Sequence, residues 1–197
     1  MRKITCLIII IFLGAALALL VSFYGSGSIE EEEGQGEGED YEVVVEDLEI
    51  PWEIRFLPTG EMLVTERPGD LLIIDEDKEV ITVQGVEHTG EGGLMGLELH
   101  PDFEENNLIY LYFTSDIDGE IINRIERYRL DLENNSLEDQ ETILSGIPGA
   151  SYHDGGRIEF GPDENLYITT GDAGDSDNSQ SLETLAGKIL RVDSGGN

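Results

Sequence analysis

The sequence of 197 residues has a single cysteine, Cys6, close to its N-terminus. One cysteine excludes a disulfide within the chain, so the folded part must be held together by core packing. Histidine is also scarce, and His88, His100 and His153 do not have the spacing of a zinc site. We therefore predict neither a disulfide framework nor a metal site built from these side chains.

Positive charge is the second scarce feature. The chain has 11 Lys and Arg against 43 Asp and Glu, a formal net charge of −32. Residues 41–197 hold nine basic and 36 acidic side chains, and Lys78 and Lys188 are the only lysines among them. This balance excludes non-specific binding to nucleic acid through a basic surface. It predicts adaptation to high salt, where charges are screened within a few ångströms; an acidic surface that serves solubility alone is the alternative.

The N-terminal region has its own composition. Arg2 and Lys3 precede residues 4–24, a nearly uncharged run that is long enough, as a hydrophobic helix, to cross a bilayer. The basic flank predicts that the N-terminus stays inside and the rest of the chain is exported. We interpret residues 1–24 as a signal peptide or membrane anchor, which places the protein at the cell surface, anchored or secreted. Residues 25–40 are rich in Glu and Gly, and they predict a flexible acidic linker.

A repeated pattern predicts the fold of the remaining chain. Residues 54–65, 97–114 and 158–169 each combine an apolar strand, a Pro followed by Thr or Asp, a polar turn and an apolar strand ending in Thr. Pro58 and Pro101 are 43 residues apart, the spacing of one four-stranded propeller blade. The middle copy has six extra residues in its turn. The pattern favours an all-β fold of consecutive antiparallel sheets arranged as blades; a β-sandwich with coincidental proline turns is the alternative.

The third repeat lies within a segment that predicts an active site. It runs from His153 to Asp172 and reads HDGGRIEFGPDENLYITTGD. Its apolar runs, residues 157–160 and 166–170, flank a Gly-Pro-Asp turn and predict a tight hairpin. His153 and Asp172, 19 residues apart, then stand at the outer ends of two adjacent antiparallel strands. An imidazole and a carboxylate on one rim of a sheet are more typical of an active site than of a core.

Two glycine-rich or acidic segments suggest other sites. Residues 90–96, GEGGLMG, lead into a strand and lack the lysine of a phosphate-binding loop, which excludes that function. Residues 172–178 carry alternating carboxylates, as calcium loops do, but lack the glycine and closing glutamate of an EF-hand. We interpret this second segment as a solvated loop, with a weak calcium site as the alternative.

Four motifs follow one another along the chain: PWEIRFLPTGEMLVTERPGDL, GEGGLMGLELHPDFEENNLIYLYFT, HDGGRIEFGPDENLYITTGDAG and SLETLAGKILRVDSGG. In order and approximate spacing they resemble the soluble quinoprotein sugar dehydrogenases, the glucose/sorbosone and aldose dehydrogenases that use pyrroloquinoline quinone (PQQ). The resemblance covers about residues 42–196. It implies a six-bladed β-propeller with PQQ and calcium at the mouth of the central channel, an aldose sugar as substrate and an external electron acceptor.

The resemblance also assigns roles to individual residues. His153 falls on the family's catalytic base and Asp172 on its active-site aspartate. Glu91 stands where a glutamine that contacts the cofactor is usual, so both Glu91 and His153 are expected at the cofactor. A carboxylate beside an anionic tricarboxylate repels it unless calcium or a proton intervenes. Arg157 belongs to the HDGGR motif, and we interpret it as a structural residue that anchors the hairpin to a neighbouring carboxylate.

The residue types suit the implied reaction. Oxidation of the anomeric hydroxyl of an aldose removes a proton from oxygen while hydride leaves the same carbon. An imidazole titrates near neutral pH and can take that proton, and a nearby carboxylate can fix its tautomer. Hydride needs a redox cofactor as its acceptor.

Length limits the prediction. Six blades of about 43 residues need roughly 260 residues, whereas residues 41–197 number 157, enough for about three. We therefore expect a partial propeller, the N-terminal half of the family, from a truncated reading frame or gene fragment that binds PQQ poorly and shows little activity. Two functions follow: a PQQ-dependent oxidoreductase acting on aldose sugars outside the cell, or a non-catalytic propeller binding module or inactive gene fragment.

Overall fold

Three antiparallel sheets form the fold in a computed structural model, which describes residues 41–197. In each sheet every strand pairs with the next strand along the chain. Within this part of the chain, helical structure is limited to one four-residue α-helix and one 3₁₀ helix. The predicted all-β fold is confirmed, and the succession of antiparallel sheets is propeller-like.

The first sheet shows how local sequence sets the strands. It consists of β1 (Pro51–Phe56), β2 (Met62–Glu66), β3 (Asp70–Ile74) and β4 (Lys78–Thr82). Gly60 donates its N–H to the Leu57 carbonyl at 2.9 Å, and Gly69 donates to the Glu66 carbonyl at 2.9 Å. Both glycines have a positive φ, which side-chain-bearing residues rarely adopt, and so they fix the two turns. Four of the five residues of β3 are buried, consistent with its unbroken run of Leu and Ile.

The second sheet contains the longest strands. It consists of β5 (Leu94–Leu99), β6 (Leu108–Ile117), β7 (Glu120–Asp131) and β8 (Ser136–Pro148). The extra residues of the middle repeat, expected as a polar turn, instead form a single helical turn, α1 (Phe103–Asn106), between β5 and β6. Phe103 is buried, and Asn107 in the left-handed conformation ends the turn by donating to the Phe103 carbonyl at 2.8 Å. The strands on both sides of the turn form as predicted.

The third sheet contains the predicted hairpin. It consists of β9 (Gly155–Phe160), β10 (Leu166–Thr170) and β11 (Ile189–Val192). Phe160 pairs with Leu166, and Gly161 donates to the Asn165 carbonyl at 2.9 Å across the turn. The hairpin is thus confirmed, although β9 begins two residues earlier than the expected start at residue 157. A 3₁₀ helix (Ser176–Gln180) lies between β10 and β11.

The second sheet packs against both of the others. Along β6, Ile109, Leu111 and Phe113 join a buried cluster with residues of β2, β3 and β4. Tyr110 and Tyr112, which alternate with them, join a second cluster with residues of β9 and β10. Because successive side chains of a strand point to opposite faces, one strand contributes to two cores. Three sheets, with one of them packed through these two clusters against both of the others, differ from the two-sheet sandwich that was the alternative.

The first strands of the three sheets lie side by side and are joined by ion pairs. Glu53 on β1 is buried, with Arg55 Nη1 2.8 Å from its Oε1 and Arg157 Nη1 of β9 2.6 Å from its Oε2. Arg55 also reaches Glu98 on β5 at 3.1 Å. The interpretation of Arg157 as an anchor to a carboxylate is therefore confirmed.

Two predicted regions lie outside the described residues: the hydrophobic segment 4–24 and the acidic linker 25–40. Among residues 41–197, no helix has both the length and the apolar character needed to cross a membrane.

Candidate active site

His153 lies on the segment that leads from β8 into β9, two residues before β9 begins. Its backbone has a φ of 63°, an uncommon left-handed conformation for a residue with a side chain. Glu91 Oε2 accepts the His153 N–H at 2.9 Å, and the His153 carbonyl accepts the N–H of Ala173 at 3.2 Å. A Cβ on Gly171 would lie 1.6 Å from that carbonyl oxygen, so this approach requires glycine at position 171.

The His153 ring is paired with Asp172, as the sequence predicted. Nδ1 of His153 lies 2.9 Å from Oδ1 of Asp172, which follows β10 by two residues. With a carboxylate as its partner, Nδ1 carries the proton, and Nε2 is left with the lone pair that can accept another. The hydrogen bond from His153, followed by the N–H of Gly174, lowers the pKa of Asp172 below its ordinary value. The imidazole is 59% exposed, which leaves it accessible to a substrate.

Glu91 joins the pair from a different sheet. It lies on the glycine-rich loop before β5, and its N–H donates to the Ser151 carbonyl at 2.8 Å. A Cβ on Gly90 would lie 1.9 Å from the same carbonyl oxygen. The loop that carries Glu91 and the segment that carries His153 are therefore in direct backbone contact. The structure brings all three predicted residues together.

A cavity of about 320 Å³ opens beside these residues. It is lined by Ile50, Trp52, Arg67, Glu91, Met95, His153, Asp154 and Gly155. Its volume is at the lower end of the range for small-molecule sites, and it combines apolar surface with a few polar groups, as such sites do. Asp172 is not part of this lining, and it contacts the His153 ring, which is.

Sequence reasoning missed the two other charged residues of the lining, Arg67 and Asp154. Arg67 follows β2 and donates from Nη2 to the carbonyls of Gly90 and, at 3.0 Å, Gly92. Its buried Nε has no hydrogen-bond partner among residues 41–197. Asp154 is 2% exposed. The sequence offered one signal for each residue. Asp154 is next to His153, and Arg67 is a charged residue just after the first repeat.

Trp52 forms the aromatic part of the cavity lining. The Arg157 guanidinium lies 4.3 Å from the centre of its ring, a cation–π contact. The ion pair of Arg157 with Glu53 holds the guanidinium in place. The structural residue of the HDGGR motif thereby also orients a residue of the cavity.

The cavity lining combines one guanidinium and a flat indole with two carboxylates. Arg67 and Trp52 suit a planar anionic molecule, whereas Glu91 and Asp154 do not. Among residues 41–197, no three His, Cys, Asp or Glu side chains converge as a metal site requires. In the acidic loop, the Asp175 side chain accepts the N–H of Asp177 at 3.0 Å and caps the 3₁₀ helix. Calcium, which the resemblance implies, therefore finds no cluster of three such side chains in this part of the chain.

Comparison with known proteins identifies the family. The family model described as Glucose / Sorbosone dehydrogenase matches residues 48–197. The chain belongs to this family. The predicted resemblance to quinoprotein sugar dehydrogenases is thereby confirmed.

The relatives of this glucose/sorbosone dehydrogenase family member include curated enzymes and a solved structure. The chain is 31% identical over 159 residues to aldose sugar dehydrogenase YliI of Escherichia coli K12, covering 77% of this chain and 43% of that one. It is 29% identical over 185 residues to quinoprotein glucose dehydrogenase B of Acinetobacter calcoaceticus, covering 78% and 39%. The PQQ-bound form of aldose sugar dehydrogenase from Streptomyces coelicolor matches with a TM-score of 0.74 and 39% identity, covering 79% and 48%. The chain spans about two fifths of the length of these curated relatives.

Proposed function

We propose that this protein is a PQQ-dependent oxidoreductase that oxidises a hydroxyl group of aldose sugars. The observation that carries the proposal is the His153–Asp172 pair at 2.9 Å, with His153 on the wall of a cavity. Membership of the family and the names of the relatives support PQQ and an aldose as its cofactor and substrate. We further propose that the three sheets are blades of a six-bladed propeller.

His153 is the general base in this proposal. Its Nε2 takes the proton of the sugar hydroxyl, because Nδ1 is already protonated toward Asp172. Asp172 holds the ring in this tautomer and stabilises the imidazolium that forms. PQQ, when bound, supplies the acceptor for the hydride that leaves the same carbon.

Two residues of the cavity lining suit an anionic, planar cofactor. Arg67 offers positive charge, and Trp52 offers a flat apolar surface fixed by Arg157. Glu91 and Asp154 oppose such binding through their charges, although one Glu91 oxygen is engaged by the His153 N–H. None of these steps is assigned to the family's calcium, for which residues 41–197 offer no cluster of three His, Cys, Asp or Glu side chains.

The proposed location is outside the cell. Residues 4–24 serve as a signal peptide or membrane anchor, and the acidic domain passes electrons to an external acceptor. The formal charge of −27 over residues 41–197 makes nucleic acid an unsuitable partner. Cell fractionation with protease accessibility tests this topology, and an intact, protected chain in the cytosol would contradict it.

Substitution of the base tests the proposed reaction. In a full-length form reconstituted with PQQ and Ca²⁺, we expect His153→Ala to lower turnover of an aldose with an artificial acceptor by about 10²–10⁴-fold. The variant should retain PQQ binding, measured by quenching of Trp52, the single tryptophan of the chain. His88→Ala, an exposed histidine outside the cavity, is the matched control. Wild-type turnover in His153→Ala would refute the assignment.

A second function, a non-catalytic propeller binding module, is favoured by Glu91. Its carboxylate places a negative charge in the lining of the cavity that would receive the anionic cofactor. Absence of both Trp52 quenching and turnover in the wild-type protein would support this second function.

A further inference from the structure

Asp154 is a buried carboxylate next to an exposed imidazole. Its side chain is 2% exposed, and its Oδ1 accepts hydrogen bonds from Asn123 Nδ2 and the Ala150 N–H, each at 2.9 Å. Its backbone carbonyl accepts the Tyr112 hydroxyl at 2.9 Å. Burial, followed by the charge of Asp154, raises the pKa of Tyr112, so this hydroxyl stays protonated and remains a donor. The backbone of Asp154 and one of its two side-chain oxygens are therefore held, whereas its buried Oδ2 has no hydrogen-bond partner among residues 41–197.

The hydrogen bonds continue through the second sheet. Asn123 on β7 lies opposite Thr114 on β6, and its Oδ1 accepts the Thr114 hydroxyl at 2.7 Å. The Thr114 Oγ1 in turn accepts the N–H of Gly93 at 3.2 Å. Thr114 and Asn123 are fully buried. A buried series of hydrogen bonds thus links Asp154, next to the base, to the glycine-rich loop that carries Glu91.

This series of hydrogen bonds has only one favourable direction of donors and acceptors. The hydroxyl of Thr114 has a single proton, which it donates to the carbonyl of Asn123. The amide of Asn123 is thereby oriented with its NH₂ toward Asp154. The opposite orientation would place the Asn123 oxygen against the Asp154 carboxylate, two acceptors facing each other without solvent.

The backbone of His153 requires such support. A left-handed conformation in a residue with a side chain persists only when its surroundings fix it. The Glu91 carboxylate holds His153 from one side through its N–H, and Asn123 holds the next residue, Asp154, from the other. The two supports are themselves connected through Thr114 and Asn123.

We propose that Asp154 is a positioning residue that, through Asn123 and Thr114, fixes the backbone of His153 and thereby the alignment of its ring with Asp172. The effect of this positioning on turnover rests on the proposed function, because only a base must be aligned with a substrate. The effect of Asp154 on the conformation of His153 does not depend on that function.

The state of the His153 ring is the direct readout. With three histidines in the chain, a protein labelled with ¹⁵N-histidine gives few ring signals, and His153→Ala assigns those of His153. We expect Asp154→Ala to move the His153 Nδ1 and Nε2 shifts away from the Nδ1-protonated form, while the shifts of His88 and His100 stay in place. In a protein that turns over, activity should fall by about 10–100-fold, the size of effect seen when the hydrogen-bond partner that orients a metal-bound histidine is removed.

Conservative variants separate positioning from folding. Asp154→Asn keeps an oxygen for the Asn123 and Ala150 donors, so we expect the His153 shifts to stay close to wild type. Asn123→Asp sets two carboxylates against each other and should perturb the His153 shifts as Asp154→Ala does. The double variant Asn123→Asp/Asp154→Asn restores a donor facing an acceptor and should recover part of the His153 shifts, because the Pro148 carbonyl loses its donor and the Ala150 N–H loses its acceptor.

Two outcomes would overturn the proposal. One is Asp154→Ala with unchanged His153 shifts in a folded protein. The other applies if Asp154→Ala does not fold. In that case, His153 shifts in the double variant that remain as perturbed as in Asn123→Asp alone would overturn the proposal. Failure of the proposed function can be distinguished from failure of this inference. If the proposed function is wrong, the wild-type protein shows no turnover, but the effect of Asp154→Ala on the His153 shifts can still be measured.

Discussion

The Glu91 carboxylate accepts a hydrogen bond from the backbone N–H of His153 at 2.9 Å, across 62 residues of sequence. The side chain that the family resemblance assigns to the cofactor thus also contacts the proposed base. A neutral glutamine can make the same contact, since its side-chain oxygen is an equivalent acceptor. The role of Glu91 in holding His153 can therefore be separated from the effect of its charge.

The charge of Glu91 should weaken binding of an anionic cofactor. We expect Glu91→Gln to keep the fold and to bind PQQ about 3- to 10-fold more tightly, because removal of one like charge near the ligand is worth on the order of 1 kcal/mol. Quenching of Trp52 measures the affinity. Glu87→Gln, which removes a charge outside the cavity lining, is the control. Equal affinities of the two variants would contradict the expectation.

The contact between His153 and Asp172 should appear in the acid stability of the protein. The folded-state pKa of Asp172 is lowered below the unfolded value of about 3.9. The ionised carboxylate therefore stabilises the fold above that value, and the contribution is lost as the pH falls through the folded-state pKa. We expect the urea midpoint of wild type to exceed that of Asp172→Asn near pH 6, and the difference to vanish in strong acid. Asp118→Asn, in the turn between β6 and β7, controls for loss of a charge elsewhere.

Glycine at position 171 is required by the carbonyl of His153. A Cβ there would lie 1.6 Å from that oxygen, so the backbone around His153 must shift. We expect Gly171→Ala to destabilise the domain by about 1–3 kcal/mol, the cost of forcing extra atoms into a packed site, and to lower turnover. Gly195→Ala is the control, because its nearest neighbour would be at an ordinary 3.5 Å. Urea unfolding of the two variants gives the comparison.

Two arginine pairs of similar exposure should differ in their contribution to stability. Arg157 pairs with the buried Glu53, whereas Arg191 pairs with the exposed Asp163 at 3.3 Å. We expect Arg157→Ala to cost about 1–2 kcal/mol, because it leaves a buried carboxylate with fewer partners. Arg191→Ala should cost about 0–1 kcal/mol. Equal losses in chemical denaturation would show that burial of the acid does not decide the effect.

Salt should stabilise the acidic domain. All nine basic residues in the described chain donate to carboxylates or backbone carbonyls, as in Lys78 to Asp47 and Lys188 to Asn178 and Ala186. Most carboxylates have no such partner, and they repel one another over a distance that shrinks to about 3 Å in 1 M salt. We expect Tm to rise by several degrees between about 0.1 and 2 M KCl. An unchanged Tm would favour the alternative, an acidic surface that serves solubility alone.

The features predicted correctly from the sequence are those set by local chemistry. The hairpin that joins His153 to Asp172 depends on a Pro-Asp turn between two apolar runs, and its two ends meet without help from distant residues. The same holds for the strands of the three repeats. The helical turn α1 was missed, although acidic residues following Asp102 are a helix-start signal.

The features that were missed depend on how the sheets pack. Three features depend on contacts between residues far apart in the chain. They are the hydrogen bond of Glu91 with the His153 backbone, the place of the Arg67 guanidinium in the cavity and the burial of Asp154. A single sequence does not fix such contacts, because they depend on the register and docking of whole sheets. Family resemblance supplied the approximate place of Glu91 and no information on its partner.

The hairpin that carries His153 and Asp172 has a consequence for the order of folding. Closing a loop of 19 residues costs less chain entropy than bringing together residues 62 apart, and local contacts form faster than distant ones. We expect the imidazole and its carboxylate to meet while the third sheet is still undocked. The Glu91 contact then belongs to the slower stage, when the sheets associate and the ring acquires its final direction.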